Sequence, residues 1–222
     1  MAPSQPALHR MGRRPALLLQ HLLRALSGLA VGLLYRVRSR GLDALPDRGP
    51  ALVVANHVSF VDPLLLLGAI RRPVRFVMDH RIYRIPVLNP LFRAARCIPI
   101  ASAKEDAVLM EHAFATVARA LADGEVVGIF PEGGLTRDGD IAPFRPGVER
   151  ILAANPVPVL PVALRGLWGS MWSRRDSALH RMRLPRRFRA RVEIVAGALL
   201  PPQACSAGSL EAEVRRLRGD AS

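Results

Sequence analysis

The amino-acid sequence predicts an α/β domain, a mostly parallel sheet flanked by helices, preceded by an amphipathic N-terminal helix. Three observations lead to that expectation. From Gly41 onward, short apolar runs alternate with stretches of helical period, the pattern of strands joined by helical crossovers. Half of the 222 residues are apolar, enough for one sizeable core. No internal repeat and no long linker divides the chain.

The leading residues contain Pro and Arg and are expected to be disordered. From Arg14 to Arg36 the chain reads as a helix, because Leu18, Leu22, Leu23, Leu26, Leu29, Leu33 and Leu34 recur mostly three or four apart. Arg13 and Arg14 flank it on one side, and Arg36, Arg38 and Arg40 on the other. Its uncharged run, Ala25 to Tyr35, falls short of the ~20 residues that cross a bilayer. Extending it back to Pro15 places Arg24 mid-span, at roughly 2.5–3.5 kcal/mol on insertion scales. The helix is therefore expected to lie in, or dip into, a membrane interface. A helix packed on the domain's own core and a true span are the competing readings. His21 and Arg24 interrupt the apolar stretch and no small-residue cleavage site follows, so it does not read as a signal peptide. This divides the chain into a tail and membrane-associated helix (residues 1–40) and a globular domain (residues 41–222).

Within that domain, Ala51–Ala55, Val74–Met78, Cys97–Ile100, Val126–Phe130, Val157–Ala163 and Arg191–Ala196 read as strands. Helices are expected over Pro63–Ile70, Tyr83–Arg96 (broken by Pro86 and Pro90), Asp106–Ala122, Gly147–Ala154 and Ser209–Leu217. Cys97 and Cys205 are the only cysteines and lack metal-ligand spacing, which argues against a disulfide framework or a zinc site. Cys97 reads as core.

The net charge is +14, nearly all of the basic charge being arginine, with Lys104 the single lysine. Such a balance attracts polyanions. Nucleic acid is not the expected one, since only 5% of residues are aromatic and no nucleic-acid-binding signature is present. Arg165 to Arg191 interleaves arginines with Trp168 and Trp172, a composition suited to lipid headgroups, with a solvated basic face as the bland alternative.

The chemistry concentrates at two strand ends. Ala51–Ala55 runs into Asn56-His57-Val58-Ser59-Phe60-Val61-Asp62-Pro63. The spacing lets Asp62 fold back onto the imidazole, fixing its tautomer and stabilising the imidazolium that forms when the ring takes a proton. That makes a general base suited to a hydroxyl. Asp62-Pro63 also fits a helix N-cap followed by a first-turn proline, and His57 a satisfied loop histidine. Val126–Phe130 ends in Pro131-Glu132-Gly133-Gly134-Leu135-Thr136-Arg137, where glycines let main-chain N–H groups approach a ligand.

Taken in order, Asn56-His57-x-Ser59-x-x-Asp62-Pro63, Phe130-Pro131-Glu132-Gly133 and Val159-Leu160-Pro161-Val162-Ala163 resemble the glycerolipid acyltransferases, which include bacterial 1-acylglycerol-3-phosphate acyltransferases. The resemblance runs from about Gly41 to Gly197. It implies a thioester donor (acyl-CoA or acyl-carrier protein), a lysophospholipid acceptor, no metal and no cofactor beyond that co-substrate. It implies that His57 is the base, Asp62 its partner, and that the Glu132-Gly133 turn contacts the acceptor. The candidate substrate-binding set is Asn56, Ser59, Arg96, Lys104, Glu132, Gly133, Gly134 and Arg137, with Ser59 read as a loop-shaping hydroxyl rather than a nucleophile.

Two departures bear on the acceptor. The family usually follows Phe-Pro-Glu-Gly with a small residue and Arg, whereas Gly134, Leu135 and Thr136 precede Arg137 here. It also carries an Arg just after its second apolar block, where this chain has Ala101 and Ser102, with Arg96 and Lys104 the nearest bases. Phe130 to Gly139, with Phe144-Arg145-Pro146-Gly147 and Leu164 to Ser170, is similar to acyltransferase domains fused to lysophospholipid transporters, which reacylate lysophosphatidylethanolamine. The resemblance favours lysophosphatidate as the family's commonest acceptor. Lysophosphatidylethanolamine-type reacylation, a hydrolase and a non-catalytic lipid-binding membrane protein are the alternatives. The expected location is the cytoplasmic face of the inner (plasma) membrane, peripheral or monotopic.

Overall fold

The computed structural model describes residues 13–168 and 189–220. Residues 1–12 and most of the Trp172-bearing basic stretch lie outside them.

The strands are β1 (Tyr35–Arg40), β2 (Ala51–Ala55), β3 (Val74–Asp79), β4 (Ile98–Ile100), β5 (Val126–Ile129), β6 (Val159–Arg165) and β7 (Ala190–Ala196). The helices are α1 (Arg13–Leu34), α2 (Asp62–Ala69), α3 (His80–Tyr83), α4 (Asn89–Ala94), α5 (Ala103–Ala122), α6 (Gly147–Ala154) and α7 (Ala207–Arg218). Among the described residues, these seven strands form one sheet in the order β1-β7-β6-β2-β5-β3-β4. Every pairing is parallel except β6 with β7. The sheet is thus mostly parallel, as expected, and helices flank it.

Because strand side chains alternate between faces, β2 divides its apolar run between two cores. Ala51, Val53 and Ala55 join Val31 of α1 and Leu65, Leu66 and Leu67 of α2 on one face. Leu52 and Val54 join Val117 of α5, Ile151 of α6 and Leu210 of α7 on the other. A strand buried on both faces reads as a continuous hydrophobic run, which is why ALVVA lacks alternation.

Three elements differ from the sequence expectation. The first helix stops at Leu34, and Tyr35–Arg40 is an edge strand paired with β7. Of the stretch from Tyr83 to Arg96 only Asn89–Ala94 is helical, after a short helix that ends at Tyr83, because Pro86 and Pro90 deny continuous helical hydrogen bonding. The helix expected from Asp106 starts at Ala103, where Ser102 and Glu105 form a capping box.

Helix α1 packs on α2 through glycines. A Cβ on Gly68 would lie 2.7 Å from the Gly28 Cα, so only glycine permits this approach. No helix among the described residues is long and apolar enough to cross a membrane. The outer side of α1 exposes Leu22, Leu26, Leu29 and Leu33.

Candidate active site

Strands β2 and β5 are adjacent and parallel, so the loops leaving their C-terminal ends meet at one edge of the sheet. Both sequence-predicted loops lie there and are laced together around His57. Its N–H donates to Glu132 Oε1 (2.5 Å), and its carbonyl accepts the Thr136 N–H (2.9 Å). The imidazole stacks on Phe130, with ring centroids 4.2 Å apart. The histidine is thereby fixed by main-chain contacts and ring packing.

Asp62 lies 2.9 Å from His57 Nδ1 through Oδ2, which also accepts the N–H groups of Val58 (2.6 Å) and Ser59 (2.8 Å). The residue opens α2 but makes no side-chain cap; its carboxylate turns back into the loop. Pro63 holds the first turn, whose lost N–H costs nothing there. The Asp62 side chain is fully buried, whereas that of His57 is 18% exposed. An ionised carboxylate only accepts hydrogen bonds, so Nδ1 carries the proton and Nε2 holds the lone pair. The pair therefore presents a base, oriented and charge-balanced from behind.

Glu132 is buried, and its second oxygen accepts the Ala142 N–H (2.8 Å). Burial pushes its carboxyl pKa up, partly offset by those two N–H bonds. With both oxygens on main-chain donors, Glu132 positions His57, and the exposed Gly133 and Gly134 are what the turn presents outward. Gly133 adopts a φ of 71°. A Cβ there would lie 2.6 Å from Arg145 Nε, so the guanidinium lies against the turn.

The remaining predicted residues separate. Asn56 is buried and spends its amide on Leu164, accepting its N–H (2.7 Å) and donating to its carbonyl (3.1 Å), so it prolongs the β2–β6 ladder. Ser59 is buried within the loop. Arg137 is exposed just past the turn. Lys104 is exposed in the first turn of α5, after β4, two strands beyond β5. The structure does not bring Arg96 to the site. It precedes β4 at the opposite edge of the sheet and pairs with Glu125 (2.5 Å).

Sequence reasoning missed three contributors. Phe130, in the sequence the end of a strand and the start of a motif, also stacks on the imidazole. Thr136 was read only as part of an insertion, yet it is buried, binds the His57 carbonyl and donates through its hydroxyl to the Asp140 carbonyl (2.6 Å). Arg145 was noted in Phe144-Arg145-Pro146-Gly147 without a role. Only the fold brings it to Gly133, through its N–H on the Pro131 carbonyl (2.9 Å).

A histidine base backed by a buried aspartate at the open edge of an α/β sheet is the apparatus of an enzyme that activates a hydroxyl. The family model described as Acyltransferase matches residues 36–165, and the chain belongs to that family. The chain is 28% identical over 165 residues to a probable 1-acyl-sn-glycerol-3-phosphate acyltransferase of Mycoplasma genitalium, covering 72% of this chain and 60% of that protein. It is 27% identical over 131 residues to the 1-acyl-sn-glycerol-3-phosphate acyltransferase of Borreliella burgdorferi, covering 56% and 49%. The chain thus spans less than two thirds of these relatives' length. The fold matches a crystal structure of the 1-acyl-sn-glycerophosphate (LPA) acyltransferase PlsC from Thermotoga maritima with a TM-score of 0.71 at 22% identity, over 94% of this chain and 82% of that one.

Proposed function

We propose that this chain moves a fatty acyl group from acyl-CoA or acyl-carrier protein to the free hydroxyl of a lysophospholipid, 1-acyl-sn-glycerol-3-phosphate foremost, at a membrane surface. The observation that carries the reading is the 2.9 Å approach of His57 Nδ1 to buried Asp62, which leaves Nε2 as the nitrogen that can act as the base. Nε2 takes the hydroxyl proton as the oxygen attacks the thioester carbonyl. Asp62 balances the imidazolium. Main-chain N–H groups of the turn are the expected donors to the tetrahedral oxyanion. The C–S bond then breaks, the thiolate leaves, and the proton held on Nε2 returns to it. The residues ask for no covalent acyl-enzyme, since Ser59 is buried within its loop.

The named activities of the relatives support a phosphomonoester acceptor, as do the exposed guanidiniums of Arg137 and Arg145 beside the turn. A second reading, a zwitterionic or other lysolipid, is favoured by the residues separating Gly133 from Arg137. It is supported too by a Drosophila melanogaster lysophosphatidylcholine acyltransferase 32% identical over 138 residues. The leucine row on α1 supports docking on a lipid surface, which we take to be the cytoplasmic leaflet: Leu29 is 72% and Leu33 65% exposed.

Purified protein given labelled acyl-CoA or acyl-carrier protein and a panel of lysolipids, with products identified by mass, tests the acceptor. In that assay His57→Ala is expected to lower kcat by about 10²–10⁴-fold with the fold intact. Wild-type turnover in the folded variant rules the mechanism out, and equal release of free fatty acid with and without acceptor points to a hydrolase. Replacing Leu22, Leu26, Leu29 and Leu33 by serine is expected to abolish flotation with liposomes. Undiminished flotation removes α1 as the membrane element.

A further inference from the structure

Arginine recurs at alternate positions of β1, Arg36, Arg38 and Arg40, and all three are exposed. Tyr35 and Val37 turn to the core shared with α1 and α2, so the arginines turn to the other face of the sheet. Arg191 of β7, also exposed, stands in register with Arg36. Strands lie about 4.8 Å apart, so these like charges repel across the pair. The acid in the row, Glu193 opposite Arg38, is engaged by Arg165 at 3.6 Å. Among the described residues, none of Arg36, Arg38, Arg40 and Arg191 forms an ion pair. Charged side chains commonly protect an edge strand from pairing with other chains. Four guanidiniums, two of them in register, cost stability that an anionic partner would recover.

Position and shape narrow the partner. Through the registers Ala55–Val162, Leu164–Ile194 and Ser39–Ile194, the row is level with the strand end that carries His57. It lies three strands away, roughly 14 Å at the usual spacing. That is too far to touch a lysolipid headgroup at the site, and within reach of an acyl thioester on an extended pantetheine arm. The row is a flat strand face about 13 Å long, whereas small anions and nucleotides take concave sites. It also faces away from the α1 leucine row, so a bilayer holding those leucines does not meet it.

We propose that the β1 arginine row docks an acidic protein carrier of the acyl thioester. The proposal rests on the acyltransferase reading. Its test separates the two, because binding is measured without turnover. Titrated with a purified acyl carrier protein bearing a palmitoyl thioester, the full chain is expected to bind with an affinity that falls as salt rises. The Arg36→Ser, Arg38→Ser, Arg40→Ser triple variant is expected to weaken binding about tenfold. It should raise KM for the carrier-borne donor by the same factor, with KM for palmitoyl-CoA and flotation on anionic liposomes unchanged and the melting temperature equal or higher, since like-charge repulsion is relieved. The corresponding triple lysine variant should bind nearly as wild type, because charge rather than shape is required. Carrier binding that is absent, or unchanged in the serine variant, overturns the proposal. So does an equal rise in KM for both donors, or lost flotation with carrier binding intact. If the carrier binds as expected but no donor supports transfer, the acyltransferase reading fails and the docking surface stands.

Discussion

The two edges of the sheet both hold buried or half-buried carboxylates, and they treat them oppositely. At the N-terminal edge Glu125 lies between two guanidiniums, Arg75 at 2.9 Å and Arg96 at 2.5 Å, and Arg75 Nε also binds the Arg96 carbonyl (3.0 Å). At the C-terminal edge Asp62 and Glu132 are held by main-chain N–H groups, with no guanidinium on either among the described residues. A carboxylate matched by arginine is electrostatically spent. One held by amide dipoles keeps its net charge for whatever cation forms beside it, and at this edge that cation is the imidazolium. The acid at one edge clamps the fold, and the acids at the other orient and support a base.

Replacing Asp62 probes that contrast most severely. Asp62→Asn keeps shape but removes the charge, and buries an NH₂ where Oδ1 has no hydrogen-bond partner. We expect kcat to fall by about 10²–10⁴-fold, measured as thiol release. Stability should fall by roughly 1–3 kcal/mol in chemical denaturation. Unchanged turnover would mean that the amide-held charge is idle.

Glu132→Gln comes next. One of its oxygens becomes a donor facing the His57 or Ala142 N–H, at roughly 1–3 kcal/mol. Activity should fall through misplacement of His57, without a change in the acceptor preference measured across the lysolipid panel. A selective loss of one acceptor would make Glu132 a substrate contact instead of a positioning residue.

The smallest effect is expected at the far edge. Arg96→Ala removes a partly exposed ion pair worth about 0.2–1 kcal/mol, and KM for every acceptor should stay put. A raised acceptor KM would bring Arg96 back to the substrate and break the contrast between the edges.

Much of this was legible in the sequence. The apolar runs of β2, β5 and β6 are buried on both faces, so they announce themselves without alternation. The loop spacing from His57 to Asp62 anticipates the 2.9 Å contact. Other features depend on neighbours that sequence order conceals. Tyr35–Arg40 is polar at most positions and continues the arginine flank of α1; it is a strand only because β7 lies beside it. Arg96 is among the nearest bases to a motif, but proximity in sequence to β4 places it at the wrong end of that strand. Asn56, inside the motif, serves as a surrogate strand residue for Leu164. Arg145, outside the motif, is the one carried to the Gly133 turn.

The pairing of β1 with β7 also orders events during synthesis. Tyr35 meets Ala190, about 155 residues later. At ~5–20 residues per second a ribosome needs about 8–30 s to supply that partner. Through this interval α1 has left the ribosome while the strand that follows it still lacks its neighbour. Its leucines have thus left the ribosome before the sheet can close, so whatever surface receives them can do so while the domain is still incomplete.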